Sequence, residues 1–345
     1  MAISERPGVY SSVEVSSALS GAGNGKTVGV VACAETGTKG ECVNVTSYGE
    51  TAAKFGADCA LTKLVKVLFQ NGAAAVKAVA AAVGGAATVE DYVDAFAELE
   101  NKEEVTILIC DSTAAEVATA MKNSIENCTE NCRYRIGILE TDGDVSDAAA
   151  RAAALNFERV VMAYPSVTGS TGAVAAAIAG VLSAQSDPAL PLNGAVLSGV
   201  DGFARVYTDN EVTTLVTAGV TAVESIYGEP AVVRGVTTRT KTGGAADSTF
   251  RELTTILIID DVIPAVRAAL RRKFSRVKNT AQTRGAIRTQ VIIELEDKCR
   301  KEIIESFDNV TAVADAEDPT VCNVGFDFTV AHGLNRIVLS AHISV

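Results

Sequence analysis

The sequence predicts an α/β plus α+β fold class: an α/β sandwich N-terminal domain, an α+β C-terminal domain, and extended β-strand arms at both termini. Three observations predict it. Between Thr27 and about Tyr227, short apolar runs alternate with Ala-rich helical segments, the pattern of a mostly parallel sheet covered on both faces. Past Glu229 and Pro230 the order changes to strand, helices and closing strands. At each end a lone stretch alternates apolar and polar residues.

In chain order, Val9, Ser11, Val13 and Val15 alternate with Tyr10, Ser12, Glu14 and Ser16, and glycines at 21, 23 and 25 separate this strand from the body of the chain. Candidate strands come next at Val28–Ala32, Val105–Cys110, Tyr134–Leu139 and Val160–Ala163. Candidate helices lie at Ala60–Gln70, Val89–Glu98, Ala114–Glu126, Ala148–Ala154 and Gly172–Ser183. The first part of Ala73–Ala87 reads equally as a strand or a short helix. A strand around Ala231–Arg239 leads through Gly243 and Gly244 to the apolar run Leu253–Ile259, with a helix expected from Asp260 and Asp261. A second helix carries Ile287, Val291, Leu295, Cys299 and Ile303 on one stripe. Two alternating strands close the chain, with Val324, Phe326, Phe328 and Val330 on one face of the first and Ile337, Leu339, Ala341, Ile343 and Val345 on one face of the last. The expected divisions are an arm at 1–20, an α/β outer domain at 21–230, an α+β core domain at 231–331 and a terminal strand at 332–345.

At 345 residues, 48% of them apolar, the chain can bury one large core or two ordinary ones. Neither a membrane span nor a signal peptide is expected. Eight dispersed cysteines form no C-x-x-C pair, so reduced core cysteines are expected in place of disulfides or zinc ligands. The net charge of -12 is unevenly spread: residues 234–288 hold twelve basic and four acidic side chains, whereas the rest of the chain is acidic. Arg267, Arg271, Arg272, Lys273, Arg276 and Lys278 follow one another without an acid between them, which suggests a contact surface for an anionic partner.

Catalytic and ligand chemistry finds little support. The run from Gly21 to Thr27 imitates a phosphate-binding loop, but Ser20 stands at the required glycine and a strand follows where a helix must open. The two histidines, His332 and His342, sit in the C-terminal strand region with no nucleophile elbow elsewhere. The adjacent Asp260 and Asp261 read as helix-start residues, and Asp142-Gly143-Asp144 reads as a turn more readily than as a metal loop. No catalytic residue, metal ligand or cofactor is therefore expected.

Several segments in a fixed order resemble the tail sheath family of contractile phages and R-type bacteriocins. These are Arg6-Pro7-Gly8-Val9-Tyr10, the stretch from Pro188 to Gly194, the stretch from Leu215 to Val220, the stretch from Val232 to Thr238, the region from Ile259 to Phe274 and the final strands. The resemblance implies a structural subunit, short because it lacks the extra outer domains of larger relatives, that forms stacked hexameric rings around an inner tube and contracts. It implies exchange of terminal strands between subunits through Val9, Tyr10, Val13, Val15, Ile337, Leu339, Ala341 and Ile343. It also implies that the basic run from Arg267 to Lys278 faces the tube. Implied partners are the chain itself, the tube protein, and baseplate and terminator or collar proteins, with no direct nucleic acid and no membrane insertion. Assembly is implied in the bacterial cytoplasm, ahead of release in a particle. The competing readings are a doubly wound α/β enzyme, carried by fold alone, and a nucleic-acid-binding structural protein using the basic run.

Overall fold

The computed structural model describes residues 26–167, 169–200, 203, 205–335 and 339–340. Its sheet strands are β1 (Thr27–Ala34), β2 (Cys42–Val45), β3 (Val76–Val83), β4 (Val105–Cys110), β5 (Ile136–Glu140), β6 (Val160–Tyr164), β7 (Val220–Ile226) and β8 (Glu229–Val232). They lie in the order β2-β3-β1-β4-β5-β6-β7-β8. The six inner strands are parallel, and β2 and β8 pair antiparallel at the two edges.

The helices α1 (Tyr48–Phe55), α2 (Ala60–Gln70), α3 (Val89–Glu100), α4 (Ala115–Glu130), α5 (Val145–Leu155), α6 (Ala173–Ala184) and α7 (Asp209–Thr217) connect these strands. Residues of α1, α2 and α6 pack on one face with Val30, Ile107 and Ile138. Residues of α3, α4, α5 and α7 pack on the other with Val31, Leu108 and Leu139. Successive strand residues point to opposite faces, and here both faces are buried, so the strands are apolar throughout. Helix starts are fixed by side chains that accept orphan backbone N–H groups: Thr88 with Asp91, Asp144 with Asp147 and Thr208 with Glu211 form reciprocal capping boxes. Helices α2 and α6 approach closely because residue 180 is glycine; a Cβ there would lie 2.6 Å from that of Asn71 and 2.8 Å from the Leu68 carbonyl oxygen.

Beyond the sheet come a small hairpin, β9 (Lys241–Thr242) and β10 (Ala245–Ala246), then α8 (Leu253–Phe274), α9 (Ala281–Arg300), β11 (Ile304–Ala314) and β12 (Cys322–Val330). The second half of α8 joins α9 and the β11–β12 hairpin in a third core of Val262, Val266, Val291, Leu295, Ile304 and Val310. The mixed α/β class, with a parallel-dominated sheet and a separate α+β region, is as predicted.

Several local readings are corrected. The run Leu253–Ile259 is the start of α8, and its first six residues are all buried. A helix buried all round shows no 3.6-residue period, so it reads as a strand. Asp260 and Asp261 accordingly sit two turns inside α8 and do not begin it. The strand near Ala231 ends at Val232: beyond it the chain touches the sheet at single points, through the Val233 and Thr238 N–H groups, and Val236 forms an isolated bridge with Glu252. The ambiguous alanine-rich segment is the strand β3. Strand β11 was not anticipated. His332 is exposed and lies beyond β12 in no strand. The cysteines are free, but only Cys110 and Cys128 are buried and Cys132 is exposed.

Candidate functional site

In a doubly wound sheet, ligands bind outside the carboxyl ends of the strands where the strand order reverses, here between β1 and β4. The acidic side chains at that crevice are tied up by the protein itself. Asp111, following β4, accepts the Cys33 backbone N–H at 2.9 Å and the Tyr92 hydroxyl at 2.6 Å. At the end of β5, the buried carboxylate of Glu140 accepts from the Ser166 hydroxyl at 2.6 Å and from the backbone N–H groups of Gly172, Val174 and Ala175 at 2.8, 2.5 and 3.0 Å. Burial pushes this carboxyl up, against the pull of its four donors. The N-terminus of α6, which would otherwise attract an anion, is thus satisfied from within. A cavity of 720 Å³ bordered by Lys63, Lys66, Asp111 and Thr171 opens beside it. Asp142 pairs with Arg151 at 2.9 Å and Asp144 caps α5, so the Asp-Gly-Asp segment is a turn. Among the described residues, no three His, Cys, Asp or Glu side chains converge as metal ligands, and no helix is long and apolar enough to cross a membrane.

A second cluster joins the sheet to α8. The Arg159 guanidinium, at the entry to β6, donates to both oxygens of Asp260 at 2.6 and 2.8 Å, and the pair is largely buried. Two guanidiniums lie over the Tyr134 ring, that of Arg159 at 4.8 Å and that of Arg267 at 5.6 Å from its centroid. Arg267 also donates to the Tyr134 hydroxyl at 3.2 Å. Asp261 pairs with Lys298 of α9. Burial pushes the Asp260 carboxyl up, opposed by Arg159 and Lys26, and pushes the Lys26 ammonium down, opposed by both aspartates. Sequence reasoning assigned Asp260 and Asp261 to helix capping and missed Arg159 and Tyr134. The one local signal was a charge set directly against an apolar strand.

The basic run divides around the end of α8. Arg267 is held against Tyr134, and Lys273 donates to Gln290 of α9 at 2.8 Å. Arg271, Arg272, Arg276 and Lys278 are exposed and enter no ion pair among the described residues. Arg276 and Lys278 lie past the helix, on either side of the exposed Val277. Arg284 and Arg288 are engaged inside the molecule, with Asn279 and with the Val310 carbonyl.

The third feature is the β11–β12 hairpin. Its strands pair from Ile304 with Val330 to Ala314 with Cys322. The aromatic side of β12, with Phe326 and Phe328, packs on α8 and α9. Among the described residues neither strand has a neighbour on its outer edge. Of the eight residues expected in strand exchange, Val9, Tyr10, Val13, Val15, Ile337, Ala341 and Ile343 lie outside the described residues. Leu339 is described; it is exposed and in no strand.

Comparison with known proteins places this geometry. The family model for the phage tail sheath protein central domain matches residues 85–238, and that for the phage tail sheath C-terminal domain matches residues 245–344. Among solved structures the chain is similar to the sheath tail protein from Desulfitobacterium hafniense, at 12% identity and a TM-score of 0.71 over 95% of this chain and 100% of that one. It is similar to a chain of the anti-feeding prophage baseplate at 16% identity and a TM-score of 0.77, over 99% of this chain and 100% of that one. It is also similar to the anti-feeding prophage helical sheath in its contracted state at 14% identity and a TM-score of 0.72, again over 99% and 100%. At these identities the likeness is one of fold. No curated protein is matched by sequence.

Proposed function

Because the chain belongs to the phage tail sheath family, we propose that it is the subunit of a contractile sheath, polymerising as stacked hexameric rings around an inner tube and shortening to drive that tube through a cell envelope. The observation that carries this reading is the β11–β12 hairpin, whose outer edges have no strand partner among the described residues. Such edges are liabilities unless another strand completes them. The occupants are residues 1–20 and 332–345 of neighbouring copies, and a heterologous contact of this kind propagates into rings and helices. The sheet unit, residues 21–230, then forms the outer body and residues 231–331 the inner core.

The tube contact falls to the cations that enter no ion pair among the described residues, Arg271, Arg272, Arg276 and Lys278, while Arg267 and Lys273 shape the helix that presents them. Contacts of this kind are individually weak, about 0.2–1 kcal/mol each, so they release on contraction and gain their strength by repetition. Baseplate and terminator or collar proteins are the further partners, and the sheath is a minimal one, assembled in the bacterial cytoplasm. We assign no catalytic role, since the sheath family supplies a structural one and Asp111 and Glu140 at the crevice are engaged in internal hydrogen bonds.

Electron microscopy of concentrated protein tests the reading directly. Tubes or polysheaths are expected from the full chain, and a folded protein without tubes from a variant lacking residues 1–18. Tubes of normal form from that truncation would refute strand exchange.

A further inference from the structure

The turn from β7 to β8 contains two residues, Tyr227 and Gly228, since Ile226 pairs with Glu229 across it. Both have positive φ, 52° and 89°. This is the geometry of a type I′ turn, whose first position favours Asn, Asp or Gly. A tyrosine there is strained, because its Cβ crowds the neighbouring carbonyl. The ring recovers nothing from the described residues, since Tyr227 is fully exposed. Ile226 and Val206 are exposed beside it, the latter brought to the end of β7 by the Ser225 N–H donating to the Arg205 carbonyl at 2.7 Å. An aromatic ring held in solvent by a strained turn and flanked by aliphatic side chains has the chemistry of an interface anchor.

The same chain carries a receptor of matching size. Between α4 and α5 lies a slot of 280 Å³. Ala118, Leu155 and Met162 are its buried floor, and Ala150 and Ala154 are exposed at its mouth. The alanines leave room for a ring, the Met162 sulfur favours an aromatic neighbour, and Arg151, which also lines the slot, offers a guanidinium to its face.

We propose that Tyr227 of one subunit seats in the α4–α5 slot of a second copy. Knob and slot are different surfaces, so the contact is head-to-tail and propagates in the way a ring or helix requires. The inference rests on the sheath reading and adds to it a contact between outer bodies, separate from the strands.

The test is photo-crosslinking from a benzophenone side chain at position 227 in assembled wild-type-length protein, with the joined peptide read by mass spectrometry. Crosslinks to the segments 113–119 or 150–155 of another copy are expected; tubes crosslinked elsewhere overturn the contact. Tyr227→Asn provides a second measurement, because asparagine suits the turn. It should raise the melting temperature of the isolated subunit by about 1–2 °C while raising the critical concentration for assembly about tenfold or more. Ala154→Phe, which fills the slot from its exposed mouth, should impair assembly similarly, and the double variant should be no worse than either single one. Assembly of Tyr227→Asn at the wild-type concentration overturns the proposal. A full chain that never assembles sinks the sheath reading and this contact together, whereas tubes with unaltered thresholds in these variants sink the contact alone.

Discussion

The eight-stranded sheet and the β11–β12 hairpin are both built of extended chain, yet their edges differ. Among the described residues the sheet has six strands paired on both sides and its β8 edge covered, with only β2 open, whereas both hairpin strands have an open edge. Every residue of β5 and β6 is buried. The outer edge of β8 is covered by residues 194–197, where the Gly194 N–H reaches the Val232 carbonyl, the Val232 N–H the Ala195 carbonyl and the Leu197 N–H the Pro230 carbonyl. In β12 exposed and half-buried residues alternate, and the hairpin's two edges have no cover among the described residues. Helix α6 repeats the contrast with α9: ten of its twelve residues are buried, against Val291 and Leu295 alone in the twenty of α9. The difference teaches that the sheet unit stores the shape of the subunit, whereas the C-terminal unit leaves extended chain open among the described residues, as the proposed strand exchange requires.

The largest expected effect breaks the sheet. Leu108→Ala, at a fully buried site on β4, should cost about 3–4 kcal/mol of unfolding free energy in urea titrations. Next is the joint between the two units: Arg159→Met leaves the buried Asp260 unpaired and should cost about 3 kcal/mol, while adding Asp260→Leu should restore most of the loss. Recovery in the double variant separates charge burial from packing. Phe328→Ala in the half-buried hairpin should cost only about 1 kcal/mol, because less apolar area leaves water, yet it should abolish tube formation. If it instead unfolds the protein, the hairpin belongs to the stable body and the contrast is lost. The smallest effect lies at the surface. The ion pair with Lys39 and the Thr88 cap lower the Asp91 carboxyl to about 2, and hydrogen bonds from Thr242 and Thr249 lower that of Asp247 to about 2. Both folded values lie below the unfolded ones, so their support is present above about pH 4. It fades as pH falls toward 2, which carboxyl NMR titration can follow at the two sites.

The sequence revealed most where burial was two-sided or strongly periodic. Val105–Cys110 and Ala60–Gln70 were legible to the residue, one as a short apolar run and the other as an amphipathic stripe. Legibility failed where the local signal imitates another element. Leu253–Ile259 is helical but uniformly apolar, and β11 lost its alternation to register shifts after Ile304 and Asp308 with Asn309 at positive φ. The pairing of Arg159 with Asp260 spans 101 residues of sequence, and nothing near either residue announces the other. The basic run was visible at once, but its division into held and free cations depends on where α8 ends and on Tyr134. The strained Tyr227 was invisible, since a Tyr-Gly pair is not a turn signal that propensity singles out.

The Glu140 carboxylate at the head of α6 has a consequence for energetics. The seat where an anion would meet the head of α6 is bolted to the frame by a carboxylate of the chain itself. If the bodies keep their shape, the proposed sheath is a spring wound once, during assembly, and its work is set by the difference between two patterns of contact among copies. The heat of contraction should then follow the number of subunits and be indifferent to added nucleotide or phosphate.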